Sequence, residues 1–193
     1  MARQPARMLE PADVRLLLEH VGTLRHATRN RVMVEASFKA GLRACEIARL
    51  TWSMVLTCDG RIDDRLTIPN AIAKCGSGRT IPMHKDLMRA LRVHHKRCGK
   101  PACGPVILSE RGGHMTAQSV VNWFGATFAA LGIDGASSHS GRRTFITRSA
   151  RAISKAGGSL RDVQELAGHR ALTTTERYIV GDRDAQRKLI SML

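Results

Sequence analysis

His139-Ser140-Gly141-Arg142-Arg143-Thr144-Phe145, followed by Leu166-Ala167-Gly168-His169 and, nine residues on, by Tyr178, frames a stretch that reads as three successive helices. After the Gly/Ser-rich segment Gly132 to Ser140, a helix should run from Arg142 to about Ala156. Leu160 to Leu166 makes a second, which Gly168 closes because glycine accepts the left-handed conformation that ends many helices. Thr173 or Thr174 offers a side-chain oxygen to cap a third helix, the one that carries Tyr178.

Helical spacing also governs the chain upstream. Pro11-Ala12-Asp13 opens a pattern with Val14, Leu17 and Leu18 on one side. A second helix covers about Thr28 to Ala40, Gly41 interrupts it, and Arg43 to Leu50 resumes the periodicity. From Trp52 to Met83 the texture changes. Val55-Leu56-Thr57, Leu66-Thr67-Ile68 and Thr80-Ile81-Pro82 read as short strands, with turn chemistry at Cys58-Asp59-Gly60 and Cys75-Gly76-Ser77-Gly78. They predict a three-stranded antiparallel meander. Helix returns from Lys85 to about Arg97, Val106-Ile107-Leu108 is extended, and Thr116 caps a helix through Ala130. The fold class is mainly α with a small three-stranded antiparallel β-sheet.

With 193 residues and 43% hydrophobic content, the chain suits one domain with a real core. Neither a signal-peptide pattern nor a membrane-length apolar run is present, so it reads as cytoplasmic. Lys and Arg number 31 against 16 Asp and Glu, a net charge of +15. So large an excess points to a polyanion, nucleic acid first. Basic residues are spread along the chain rather than clustered, which argues against a membrane surface, and 4% aromatic content argues against stacking on single strands. Five cysteines without framework spacing read as reduced thiols. His94, His95, Cys98 and Cys103 match no common zinc pattern closely and read better as the basic end of a helix.

Four separated segments carry chemistry. They are Ala40-Gly41-Leu42-Arg43-Ala44-Cys45-Glu46-Ile47-Ala48-Arg49-Leu50, Lys74-Cys75-Gly76-Ser77-Gly78-Arg79-Thr80-Ile81-Pro82, the His139 to Phe145 box, and Leu166 to His169 with Tyr178. In this order they resemble the tyrosine recombinase family, which includes phage integrases and bacterial chromosome-dimer resolvases. The resemblance runs from about Leu9 to Tyr178. Cys75 stands where the family often has glycine, and Arg143 where a histidine is commoner.

Those residue types suit attack on a phosphodiester, whose transition state gathers negative charge on the non-bridging oxygens. Arginine matches two such oxygens with a fixed fork and stays charged. The resemblance assigns Arg43 and Arg142 to that clamp and Glu46 to supporting Arg43, although an Arg43–Glu46 pair is also an ordinary i,i+3 helix contact. Tyr178, the single tyrosine, is the implied nucleophile. A phenol in water gives up its proton only near pH ~10, so it needs a prepared phosphate. By the same resemblance His139 is the acid/base partner and His169 the hydrogen-bond donor to phosphate, a division the residues themselves leave open. Lys74 is the implied general acid for the departing 5′ oxygen, its bland alternative being a solvated lysine beside a turn.

No cofactor, metal or nucleotide is implied. There is no Walker-type loop and no carboxylate cluster. The family's activity would make the chain a site-specific recombinase acting on double-stranded DNA through a 3′-phosphotyrosyl ester that keeps the energy of the broken bond. Residues 1–180 form the expected catalytic domain and 181–193 a tail helix, whose apolar stripe of Leu189, Ile190 and Leu193 either folds back on its own domain or, as the resemblance implies, docks on a neighbouring protomer to give a tetramer on paired sites. No N-terminal core-binding domain is expected. The competing readings are a non-catalytic DNA-binding accessory protein of the same fold, and a type IB topoisomerase or telomere resolvase.

Overall fold

The computed structural model describes residues 6–73, 76–178 and 190–191. Lys74 and most of the expected tail helix, 181–189 and 192–193, lie outside the described residues.

Helix α1 spans Pro11–Thr23, with proline at its start, where a missing N–H costs nothing. Helix α2, Ala27–Lys39, is the central element: it packs against α1, against α4 (Lys85–Arg97) and against α6 (Ser140–Ala152), and buries Val32, Met33, Val34 and Phe38. Gly41 ends this run at φ +62°, where any Cβ would also run into the Phe145 ring. That turn sets α3, Ala44–Ala48, which packs on α5, Ala117–Ala130. Thr116 caps α5 as expected, its hydroxyl accepting from the Ser119 N–H at 3.0 Å. Helix α7, Leu160–Ala167, ends on Gly168 at φ 62° and ψ 48°, and α8, Leu172–Glu176, follows.

The sheet is smaller than its sequence suggests. Strands β1, Arg65–Ile68, and β2, Arg79–Pro82, pair antiparallel with Leu66 opposite Ile81. Among the described residues no third strand joins them: Val55 and Thr57 fold back on Asp63 and Arg61, and Leu56 makes one bridge to Ile62. The mainly helical class with a small antiparallel sheet stands.

Two apolar clusters hold the molecule. The larger draws Leu17, Met33, Ile47, Trp52, Leu66, Ile81, Leu91 and Phe124 from α1 to α5 and the sheet. The smaller joins Ile146 of α6 to Val163 and Ala167 of α7, with Phe145 and Tyr178 packed on it. The N-terminal segment is stapled to α6: Leu9 N–H donates to Thr144 Oγ1 at 3.0 Å and Arg148 to the Leu9 carbonyl at 2.9 Å. Among the described residues, no helix is long and apolar enough to cross a membrane.

Candidate phosphate-transfer site

The site lies where α3, β2, α6 and the end of α7 converge. Arg43 is the N-cap of α3 and Glu46 its third residue, so one carboxylate reaches back to the backbone N–H of Arg43 at 2.9 Å and to its guanidinium at 3.0 Å. The pairing is the one the i+3 spacing suggested, but Glu46 has a second partner. Arg79 of β2 meets it fork to fork, Nη1 to Oε1 at 2.9 Å and Nη2 to Oε2 at 3.0 Å. Glu46 is fully buried and the Arg79 side chain is 5% exposed. Burial works to raise the Glu46 carboxyl, yet the Arg79 hydrogen bonds and charge, with those of Arg43, outweigh it and hold the group below its ordinary value. Glu46 is therefore an anion set between two cations.

Arg142 enters from the first turn of α6 and is 4% exposed. Its Nη1 donates to the Gly41 carbonyl at 2.6 Å and its Nη2 to the Ala167 carbonyl at 2.6 Å and to Nε2 of His169 at 2.9 Å. Both Nη2 hydrogens are thereby committed, leaving one on Nη1 and the one on Nε for an incoming anion. Burial first, then the neighbouring Arg43, lowers the Arg142 guanidinium to about 10, so it stays a cation at neutral pH.

Arginine can only donate, so the His169 Nε2 facing it is an acceptor. The proton sits on Nδ1, which donates to Thr175 Oγ1 at 2.9 Å. Burial, reinforced by Arg142, Arg43 and Arg79, lowers His169 to about 4 and keeps the ring neutral. A donor role for His169 toward phosphate was the expectation. In this structure the Nε2 lone pair accepts from Arg142.

Tyr178 lies two residues beyond the end of α8, not within it, and Ala171 rather than a threonine caps that helix. Its ring stacks on His169, with centroids 5.6 Å apart and planes at 22°. Its backbone carbonyl accepts from Thr147 of α6 at 3.1 Å. His139 stands exposed at the N-cap of α6, three residues before Arg142, and its ring makes no hydrogen bond among the described residues. Arg43, Glu46, Arg142, His169 and Tyr178 are thus drawn together, with His139 at the edge.

Arg79 is the member of this constellation that sequence reasoning passed over. It sat inside the segment from Lys74 to Pro82, but nothing local shows that its partners lie on α3 and α7. Beside it opens a cleft of about 550 Å³ lined by Ser77, Gly78, Arg79, Gln164, Gly168 and His169.

Away from this region, His94 Nε2 donates to the Val106 carbonyl at 2.9 Å and its Nδ1 accepts from the Thr28 hydroxyl at 3.0 Å, and His95 bonds the Pro101 carbonyl at 3.0 Å. Both rings pack on Trp52. These histidines serve the core, and among the described residues no group of three or more His, Cys, Asp or Glu is placed to hold a metal ion.

Comparison with known proteins places this geometry in a lineage. The model of the phage integrase family matches residues 7–183. The chain is 28% identical over 155 residues to the tyrosine recombinase XerC of Pelobacter propionicus, covering 79% of this chain and 48% of that protein. It is 28% identical over 202 residues to the tyrosine recombinase XerD of Corynebacterium glutamicum, covering 98% of this chain and 62% of that protein. It therefore spans about half to three fifths of these relatives. Among solved structures, the Tn1549 transposon integrase in complex with a circular intermediate DNA superposes with a TM-score of 0.76 at 22% identity, over 100% of this chain and 67% of that one. XerA recombinase gives 0.74 at 19% identity, over 100% and 65%. These likenesses establish the fold, and the family match across nearly the whole length settles descent: the chain belongs to the phage integrase family.

Proposed function

We propose that residues 1–180 are the catalytic domain of a site-specific DNA recombinase that cuts and rejoins strands through Tyr178. One observation carries the reading: two guanidinium groups, Arg43 and Arg79, share the single carboxylate of Glu46, and a third, buried Arg142, is bonded to a neutral histidine on which the tyrosine stacks. The excess of two positive charges in a buried place calls for an anion. A phosphodiester fits it, and the net charge of +15 fits a nucleic-acid duplex.

In this reading Arg43 and Arg142 hold the non-bridging oxygens. Removal of one preorganised donor of this kind costs about 2.7–4 kcal/mol in the barrier. The Tyr178 oxygen bonds to phosphorus as the bond from phosphorus to the 5′ oxygen breaks. In the same reading exposed His139 takes the phenolic proton, and Lys74 gives one to the leaving 5′ oxygen. The product is a 3′-phosphotyrosyl ester and a free 5′-hydroxyl, and the same groups in reverse roles rejoin the strands. The arginines supply the charge stabilisation, so neither a metal nor a nucleotide is required. XerH and λ integrase, seen bound to a difH substrate and a COC′ core site, share the fold at 18% and 19% identity. Double-stranded DNA is the partner that this likeness and the charge together support.

The test is a nicked suicide duplex carrying the DNA that flanks the gene, incubated with the protein in EDTA. A covalent adduct is expected with the wild type and none with Tyr178→Phe, which should bind the duplex as before. An adduct that persists in Tyr178→Phe, or that needs Mg²⁺, would overturn the reading.

A further inference from the structure

Arg79 has three ties, to two different segments of the site. Its Nη1 and Nη2 grip both oxygens of Glu46, the carboxylate that also fixes the backbone and guanidinium of Arg43. Its Nε donates to the Leu166 carbonyl at 2.9 Å, next to the Ala167 carbonyl that holds Arg142. Its side chain also crosses Gly168 so closely that a Cβ there would lie 2.9 Å from Nη1. Glycine at 168 thus serves both the left-handed turn and the passage of Arg79. The Arg79 side chain is only 5% exposed, and its hydrogen-bond partners named here are groups of the protein.

We propose that Arg79 is a positioning residue: through Glu46 it sets Arg43, and through the α7 terminus it sets Arg142, so that the two forks face one phosphate at a fixed separation. This rests on the reading of Arg43 and Arg142 as the phosphate clamp. Only arginine can fill the position. Lysine would keep the charge and one hydrogen bond but could not span both Glu46 oxygens and the Leu166 carbonyl. Arg79 does not touch DNA; its contribution is the geometry of the groups that do.

The experiment compares Arg79→Lys, Arg79→Ala and Arg43→Ala in suicide-substrate cleavage on two modified duplexes. In one, a methylphosphonate replaces a non-bridging oxygen at the cut and removes one negative charge. In the other, a 5′-bridging sulfur replaces the leaving oxygen. On ordinary DNA the Arg79 variants should form adduct about 10- to 100-fold more slowly, the scale seen when partners that orient a metal ligand are lost. The methylphosphonate should relieve most of that loss, because a neutral phosphate asks less of a misplaced clamp, and the bridging sulfur should not. Relief by sulfur instead would assign Arg79 to the leaving group. Equal defects on all three duplexes would make it a fold-stabilising residue only. Either result overturns the proposal, and Arg79→Lys keeps the test alive if Arg79→Ala does not fold. Full cleavage by Arg43→Ala would overturn the clamp itself, a failure distinct from both.

Discussion

Arg142 donates to Nε2 of His169 at 2.9 Å, and this one hydrogen bond fixes the proton on the far side of the imidazole, toward Thr175. The ring thus acts as a neutral spacer between a buried cation and a helix hydroxyl. Protonation would set a second positive charge against Arg142, which is why burial and the surrounding arginines bring the histidine to about 4.

A pH dependence follows from that depression. An unfolded histidine titrates near 6.5, so between 6.5 and about 4 the unfolded chain holds more protons than the native one. The stability contributed by neutral His169 is complete above 6.5 and is lost as the pH falls toward 4. Melting curves of wild type and His169→Asn across this window should show the steeper acid loss in the wild type. Parallel curves would refute the assignment.

Lys74 offers a second test, although it lies outside the described residues. The base of its loop is closed by Gly78 N–H donating to Asn70 Oδ1 at 2.8 Å, and Ser77 Oγ donates to the Gly168 carbonyl at 3.1 Å, beside His169. In sequence Lys74 falls between Asn70 and Ser77. If it protonates the leaving oxygen, Lys74→Ala should lose cleavage by about 10²–10⁴-fold on ordinary DNA, the span typical of general acids. A 5′-bridging sulfur leaves without a proton, so rates on that substrate should return close to wild type. Equal loss on both duplexes would remove Lys74 from the role.

Much of this was legible in the residues, for local reasons. The bounds of α4 and α5 and the stop at Gly168 follow from apolar spacing, a threonine cap and a glycine. The segment at Val55 to Thr57 misled because its composition is that of a strand, while its pairing is set by the tight turn that follows it. Asp63 N–H donates to the Val55 carbonyl at 2.9 Å, so the segment closes on itself instead of joining β1. Arg79 was illegible for the opposite reason: its partners are 33 and 87 residues away. The acceptor role of His169 depends on a guanidinium from another helix, which spacing along the chain does not reveal.

Glu35 of α2 is the place where stability is held below its potential. It is 2% exposed, and among the described residues its one ion pair, to Arg31, is long at 3.8 Å. Burial raises its carboxyl above the ordinary 4.5, Asp86 adds to this, and Arg31, Lys39 and Arg89 only partly offset it. A raised carboxyl favours the native state below the unfolded value, and the benefit disappears as pH rises through the native one. At pH 8 the buried anion is therefore a cost. Glu35→Gln should raise the Tm there by about 2–4 °C, the shift that ~1 kcal/mol produces in a domain of this size. The gain should shrink toward zero below pH 4.5. A gain independent of pH would mean the carboxyl is not its source.

The last prediction concerns assembly. Ile190 is 70% exposed, a large apolar side chain left in water next to Leu189 in a segment whose sequence also places Leu193 one turn on. The short helix that this sequence leads one to expect would be marginal alone and would gain its stability from what it packs against. If that surface is a neighbouring protomer on paired sites, Ile190→Asp should leave the Tm of the isolated chain and its binding to a single site unchanged. It should weaken cooperative occupancy of paired sites and suppress the tetrameric species in native gels with full-length duplex. The two alternatives are distinct on the same gels and melts. A large fall in Tm would place Ile190 in the chain's own core, and undiminished tetramer would show that the apolar stripe has no part in joining protomers.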